Sequence, residues 1–305
     1  MSLLSSNNLL KLSNLTVDDI NKILKRAKVL KNKIKKGEDY FPLRGKSLGL
    51  IFSHSSTRTR VAFEVGMTQL GGNAIFLSAK DTQIGRGETM GDTARVLSRY
   101  VNAIAARLDS QRDLEELAKY SQIPVINGLT KEHHPCQVLA DLLTIQENFG
   151  DFENCKIVYL GDINNVSNSW MEAAYLLKFP LTICCPKEYS PHNLFLFGEK
   201  ELPKNIEIEH DPLKAVKNAS VLSTDVWVSM GTKESDAKKK LLVPYQLNQK
   251  LIKMAKEDVI ALHCLPAHRG EEITNEVMDG KHSQIFNQSE NKLHVQKAVL
   301  ELFMT

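Results

Sequence analysis

Apolar and polar positions alternate along the chain in a regular order. Thr16 can cap a helix with Asp19 in the reciprocal position, after which Val17, Ile20, Ile23, Leu24, Ala27, Leu30 and Ile34 recur at helical spacing and Gly37 supplies a stop. Short apolar runs then alternate with longer amphipathic ones: 47–52 then 57–70, 74–77 then 88–100, 103–107 then 111–120, and 124–127 then 135–149. Strands separated by helices predict a parallel sheet with crossover connections, an α/β fold. The order restarts at 156–160 and continues through 181–184, 206–209, 221–224 and 259–262, which predicts a second parallel sheet and a second domain. The helix over 135–149 runs into Gly150 and a polar stretch, which places the boundary near 148–154. The last segment, 290–304, reads as a helix that could belong to either domain. No repeat of fixed period is present, and the lysine run at 238–240 reads as a solvated loop or helix start.

A length of 305 residues is about twice the usual domain length of roughly 150, in keeping with two cores. With 39 Lys plus Arg against 36 Asp plus Glu, the net charge of +3 argues for neither nucleic acid nor an anionic membrane as partner, so any basic site must be local. No run approaches the ~18 apolar residues of a membrane-spanning helix, and the start lacks a signal-peptide pattern, so a cytoplasmic protein is expected. The five cysteines, Cys136, Cys155, Cys184, Cys185 and Cys264, form no C-x-x-C pair and indicate neither a disulfide framework nor a zinc site.

The chemistry lies at strand ends. After the run 48–52 comes Ser53-His54-Ser55-Ser56-Thr57-Arg58-Thr59-Arg60, leading straight into a helical pattern. Strand, hydroxyl-rich turn and helix outline an anion site: helix N-terminal N–H groups, hydroxyl donors and the Arg58 fork all favour phosphate. His133-His134-Pro135-Cys136-Gln137 follows the run 124–127 and opens a helix, with Pro135 in its first turn. His134 and Gln137 then stand at the carboxyl edge of the sheet with the Ser56–Arg60 turn, and Arg107, ending the run 103–107, joins them. There His134 could polarise a carbonyl and Gln137 orient an amide. Taken singly, Ser56 could be only a cap, His134 a capping histidine and Arg107 a surface arginine. In the second half, Gly161-Asp162-Ile163-Asn164-Asn165 lacks the glycine fingerprint of a dinucleotide site. Asn165, Asp225 and Cys264 each follow a strand run there, and a carboxylate in that place suits an ammonium ligand. Cys264 alone reads as a small buried residue, but it adjoins Pro266 in a tight or cis turn.

Together and in this order, S-S-T-R-T-R, H-P-C-Q, D-V-W-V-S-M-G and H-C-L-P-A-H-R-G closely resemble the aspartate/ornithine carbamoyltransferase family, the last two motifs marking its ornithine carbamoyltransferase branch. The resemblance runs from about Leu9 to Leu302. It implies a carbamoyl-phosphate-binding domain over 1–148, with a terminal helix over 287–305 packing back onto it, an ornithine-binding domain over 149–286, and an active site in the cleft between them. It implies that Ser56, Thr57, Arg58, Thr59 and Arg107 hold carbamoyl phosphate, His134 donates to its carbonyl, and Gln137 holds its nitrogen. Leu265 and Lys292 complete that set, and Gln83 reaches carbamoyl phosphate in a neighbouring subunit of a homotrimer. Asn165, Asp225, Ser229, Met230 and Cys264 match the ornithine positions, with Arg107, His134, Asp225 and Cys264 carrying the catalysis. The implied reaction gives citrulline and phosphate, with arginine biosynthesis the commoner role of such a site, and needs no metal or organic cofactor.

Two residues depart from the family pattern. His54 stands where a lysine is usual, and Lys292 where the terminal helix usually supplies an arginine. Lysine lacks the planar fork and histidine is mostly neutral at pH 7, so a weaker hold on carbamoyl phosphate is expected. The alternatives are a carbamoyltransferase for aspartate, putrescine or an N-acylated ornithine, a catalytically silent relative, and a nucleotide-binding dehydrogenase, which the absent glycine fingerprint disfavours.

Overall fold

The computed structural model describes residues 3–79, 82–190, 202–227 and 236–305. By its contacts the chain divides into two compact units, Met1–Leu143 with Glu290–Thr305, and Thr144–Ser289.

In the first unit, α1 (Val17–Lys35) starts with a reciprocal cap: Asp19 N–H donates to Thr16 Oγ1 at 3.1 Å, and Thr16 N–H donates to Asp19 Oδ2 at 3.0 Å. Its apolar stripe, Ile20, Ile23, Leu24, Ala27 and Leu30, is buried. There follow β1 (Ser47–Phe52), α2 (Arg58–Gln69), β2 (Asn73–Ser78), α3 (Met90–Leu97), β3 (Ala103–Arg107), α4 (Gln111–Tyr120), β4 (Val125–Leu129) and α5 (Pro135–Phe149). The strands pair in parallel in the order β2-β1-β3-β4. Helices cover both faces of such a sheet, so its inner strands are continuously apolar rather than alternating. Leu50, Ile51, Ile104, Ala105, Ala106 and Val125 are accordingly buried, while the edge strand β2 is partly exposed. Chain order reverses between β1 and β3, and this switch point leaves a crevice at the strands' carboxyl ends. Phe52 pairs with Arg107 there, and Ser53 N–H donates to the Arg107 carbonyl at 2.9 Å.

The second unit contains β5 (Ile157–Leu160), α6 (Asn165–Leu177), β6 (Leu181–Cys184), β7 (Ile206–Glu209), α7 (Pro212–Ala215), β8 (Val221–Thr224), α8 (Asp236–Leu242), α9 (Gln249–Met254), β9 (Ile260–His263) and α10 (Asn275–Met278). Its parallel order is β7-β6-β5-β8-β9, with the switch point between β5 and β8. Leu160 pairs with Thr224 at that point, and Thr224 Oγ1 donates to the Leu160 carbonyl at 2.8 Å. Val158, Leu160, Leu222 and Ala261 form the core with Leu251, Ile252 and Val277. The short helices α9 and α10 span fewer than two turns, too few for hydrophobic periodicity to reveal them. The lysine run lies within α8 and is engaged: Lys238 Nζ donates to Asp162 at 2.7 Å and Lys239 Nζ to Glu271 at 2.8 Å. The chain ends in α11 (Ile285–Met304), and the division between units falls inside α5 and inside α11.

Candidate active site

At the switch point of the first sheet, the turn after β1 enters α2 through Thr57, which caps the helix with no side-chain hydrogen bond. Ser56 therefore does not act as the cap. Its hydroxyl instead accepts a 2.9 Å hydrogen bond from Arg107 Nη1. Thr59 is buried against Gly128, where a Cβ would lie 3.6 Å from Thr59 Cγ2 and 3.2 Å from the Ala106 carbonyl. The α2 N-terminus, the Ser56 hydroxyl and the buried Arg107 guanidinium thus lie together at the carboxyl edge of the sheet. That combination favours an anion with several oxygens.

After β4, Thr130 and His133 close a short loop, Thr130 N–H donating to the His133 carbonyl at 2.9 Å and His133 N–H to Thr130 Oγ1 at 3.1 Å. Pro135 then begins α5, leaving His134 and Gln137 buried at its start. From α11, the buried Lys292 places Nζ 3.2 Å from His134 Nε2 and donates to Gln137 Oε1 at 3.1 Å, while Gln137 Nε2 donates to Asp141 Oδ1 at 2.9 Å. An ammonium can only donate, so Nε2 of His134 accepts and the neutral ring carries its proton on Nδ1. Burial, then the charges of Lys292 and Arg107, hold the His134 pKa well below its ordinary value, which keeps the ring neutral. The amide of Gln137 is oriented by a cation at one end and a carboxylate at the other. Asp141 was not among the residues singled out from sequence, since one helical turn beyond Gln137 nothing distinguishes it from an ordinary helix carboxylate.

Neither Gln83 nor His54 makes a hydrogen bond to this cluster among the described residues. Gln83 is exposed on the short 3-10 helix Gln83–Arg86. Exposed His54 turns to Asp109, its Nε2 lying 2.9 and 2.8 Å from the two carboxylate oxygens, and Lys131 Nζ joins them at 3.1 Å. Burial works to raise the Asp109 pKa, but hydrogen bonds from His54 and Lys131 outweigh it and hold it below the usual value.

The second sheet's switch point carries the other group of residues. Asp225, after β8, is buried, and its Oδ1 accepts from Val226 N–H at 2.8 Å and from Cys264 Sγ at 2.7 Å. Its Oδ2 accepts from Asn164 Nδ2 at 2.7 Å. Among the described residues no lysine or arginine pairs with this carboxylate, whose donors are neutral. A buried carboxylate so placed suits an ammonium ligand. Asn165 opens α6, and Cys264 follows β9. His263, which the sequence reading passed over, shapes the next turn: its Nδ1 accepts from Leu265 N–H at 2.8 Å, and its Nε2 faces Glu272 Oε1 at 2.9 Å. Leu265 has φ 57° and a cis bond to Pro266. Donor atoms of Asp225, His263 and Cys264 lie within 4.8 Å of one another, as do those of His268, Glu271 and Glu272. In the first set the hydrogen bonds just described already engage all three side chains, and in the second Glu271 is paired with Lys239. Ser229 and Met230 lie outside the described residues.

Residues 7–147 match the sequence model of the aspartate/ornithine carbamoyltransferase, carbamoyl-P binding domain, and residues 153–303 that of the Asp/Orn binding domain. The ornithine carbamoyltransferase of Syntrophus aciditrophicus (strain SB) is 52% identical over 298 residues, covering 97% of this chain and 99% of that protein. The anabolic ornithine carbamoyltransferase of Pyrococcus furiosus is 48% identical, covering 99% of this chain and 97% of that protein. Among solved structures, ornithine carbamoyltransferase from Pyrococcus furiosus superposes with a TM-score of 0.94 at 48% identity, covering 100% of this chain and 98% of that one. The enzyme from Burkholderia thailandensis E264 gives 0.91 at 39% identity, covering 98% and 99%. On sequence and fold alike, the chain belongs to the aspartate/ornithine carbamoyltransferase family.

Proposed function

We propose that this enzyme transfers the carbamoyl group of carbamoyl phosphate to the δ-amine of L-ornithine, giving L-citrulline and phosphate in the direction of arginine synthesis. The observation that carries the reading is the pair of half-sites, each at the switch point of its own sheet, one cationic and rich in donors, the other built on a buried carboxylate without a cationic partner among the described residues. In this reading residues 1–148 with the helix over 287–305 take carbamoyl phosphate, and 149–286 take ornithine. Ser56, Thr57, Arg58 and Thr59 hold the phosphate through the α2 N-terminus, and Arg107 spans phosphate and carbonyl oxygen. His134, Gln137, Lys292 and Leu265 hold the carbamoyl end. Asp225 takes the α-ammonium of ornithine with Asn165, Ser229 and Met230, and Cys264 lies by the δ-amine. Gln83 serves the site of a neighbouring subunit in a cytoplasmic homotrimer, which fits its exposure on its own chain.

The residue types suit the chemistry. The lone pair of the neutral δ-amine forms the new C–N bond, and negative charge gathers on the carbonyl oxygen. Arg107, Thr59 and His134 stabilise it, and Lys292, which donates a hydrogen bond to His134 Nε2, is a further donor beside that ring. The C–O bond to phosphate then breaks, the electron pair leaves with phosphate, and phosphate accepts the proton lost by the amine. Holding and orienting both reactants supplies much of the rate.

A steady-state assay with carbamoyl phosphate and, separately, L-ornithine, L-aspartate, putrescine and N-acetylornithine tests the reading. Citrulline and phosphate are expected from ornithine alone. Turnover with a different amine would leave the phosphate half-site standing and overturn the role of Asp225.

A further inference from the structure

We infer that Asn164, through a single amide that caps α6 and grips Asp225, is the positioning residue that sets the carboxylate receiving the α-ammonium of ornithine. The inference rests on the ornithine reading above. The Asn164 oxygen accepts from Val166 N–H at 2.9 Å and Ser167 N–H at 3.2 Å, which is the cap of α6, and from the Tyr159 hydroxyl at 3.2 Å. Those donors leave no doubt which end of the amide is oxygen, so Nδ2 is the group directed at Asp225 Oδ2, 2.7 Å away. Val226 N–H and the Cys264 thiol hold the other oxygen at 2.8 and 2.7 Å.

The carboxylate is therefore clamped at both oxygens by donors that carry no charge. It keeps its full attraction for an incoming ammonium while losing its freedom to rotate. The clamp is anchored to a rigid element, because the same Asn164 oxygen closes the first turn of α6. Tyr159 adds a further tie from within β5. Burial first, then the charges of Asp225 and Asp162, hold its phenol well above the ordinary pKa, so it remains a donor to Asn164.

Serine separates the two duties of Asn164. It caps a helix about as well as asparagine, and its hydroxyl is too short to reach Asp225 while doing so. The full-length protein and its Asn164→Ser, Asp225→Asn and doubly substituted variants are compared for kcat, for KM of each substrate, for Tm, and for the inhibition constant of L-2-aminopentanoate, which is ornithine without its δ-amine. Asn164→Ser is expected to raise KM for ornithine and the inhibition constant together by about tenfold, with KM for carbamoyl phosphate unchanged. In the Asp225→Asn background the same change is expected to add little, because its effect runs through Asp225. That comparison stays readable if Asn164→Ser also lowers Tm, since the loss of stability is common to both backgrounds. Wild-type KM for ornithine in Asn164→Ser, or an equal loss in both backgrounds, would overturn the inference. Failure of the unsubstituted protein to carbamoylate ornithine would instead overturn the reading beneath it.

Discussion

Lys292 beside His134 is the contact that most alters the chemistry of the carbamoyl-phosphate half-site. A buried ammonium hydrogen-bonded to a buried imidazole holds the ring neutral and makes the lysine the donor of the pair. Lys292→Met removes a charge that depresses the His134 pKa, so that pKa rises and activity is expected to fall away at a higher pH on acidification. The kcat of this variant is expected to drop by about a hundredfold, as when one donor to a developing oxyanion is lost. A pH–rate profile of both proteins checks both points. Lys292→Arg restores a planar fork and is expected to lower KM for carbamoyl phosphate. An unchanged KM would separate this residue from phosphate affinity. Arg107→Lys loses the bond to Ser56 along with the fork, and a kcat loss of similar size, about a hundredfold, is expected. The sequence made Arg107, His134 and Gln137 visible, because each sits in a short motif at a strand end. Asn164 and Asp141 were not visible, since the one resembles any helix cap and the other any helix carboxylate until their partners are seen.

Among the elements, α2 is arranged to meet an anion. Its cap residue Thr57 makes no side-chain hydrogen bond, Ser56 is engaged by Arg107, and Arg58 opens the helix. Inorganic phosphate is accordingly expected to raise Tm, with a stabilisation of about 2.7 kcal/mol when its concentration is about a hundred times Kd. Arg58→Gln is expected to shrink that shift, as read by thermal unfolding across a phosphate titration. The strands of both sheets were legible as short apolar runs because buried parallel strands have no polar face. The helices α9 and α10 were not, being shorter than the pattern that would reveal them. The lysine run shows a different limit. Its residues are charged, as a solvated segment would be, but Lys238 and Lys239 find carboxylates on distant segments.

The molecule as a whole carries buried ionisable groups that tie its stability to pH. His134 lies well below its ordinary pKa, and His294 is pushed down to about 4, by burial first and then by Lys297. An unfolded imidazole takes up its proton near pH ~6.5, whereas the folded one at position 294 does so only near 4. Unfolding therefore binds protons between those values, and stability falls as pH drops through that window. Lys297, lowered to about 8 by burial, acts in the same direction at the alkaline end: the folded state loses its proton first, so stability rises as pH increases from about 8 towards the unfolded value of 10.5. Urea midpoints measured from pH 4 to pH 7 are expected to climb; above pH 8, where the buried thiols of Cys136, pushed up to about 12, and Cys185, pushed up to about 11, act in the opposite direction, the Lys297 contribution is read as the difference between the unsubstituted protein and Lys297→Met.

Local patterns in the chain settled the α/β class, the strand and helix order and the strand-end motifs, because apolar periodicity, helix caps and short strings of hydroxyl and basic residues are all properties of near neighbours. The pairings that make a site of them depended on packing. Arg107 meets Ser56 across 51 positions, Asn164 meets Asp225 across 61, and Lys292 meets His134 across 158. Such contacts follow from strand order in each sheet and from which helix closes against which. Those are matters of long-range burial, to which periodicity along the chain is blind.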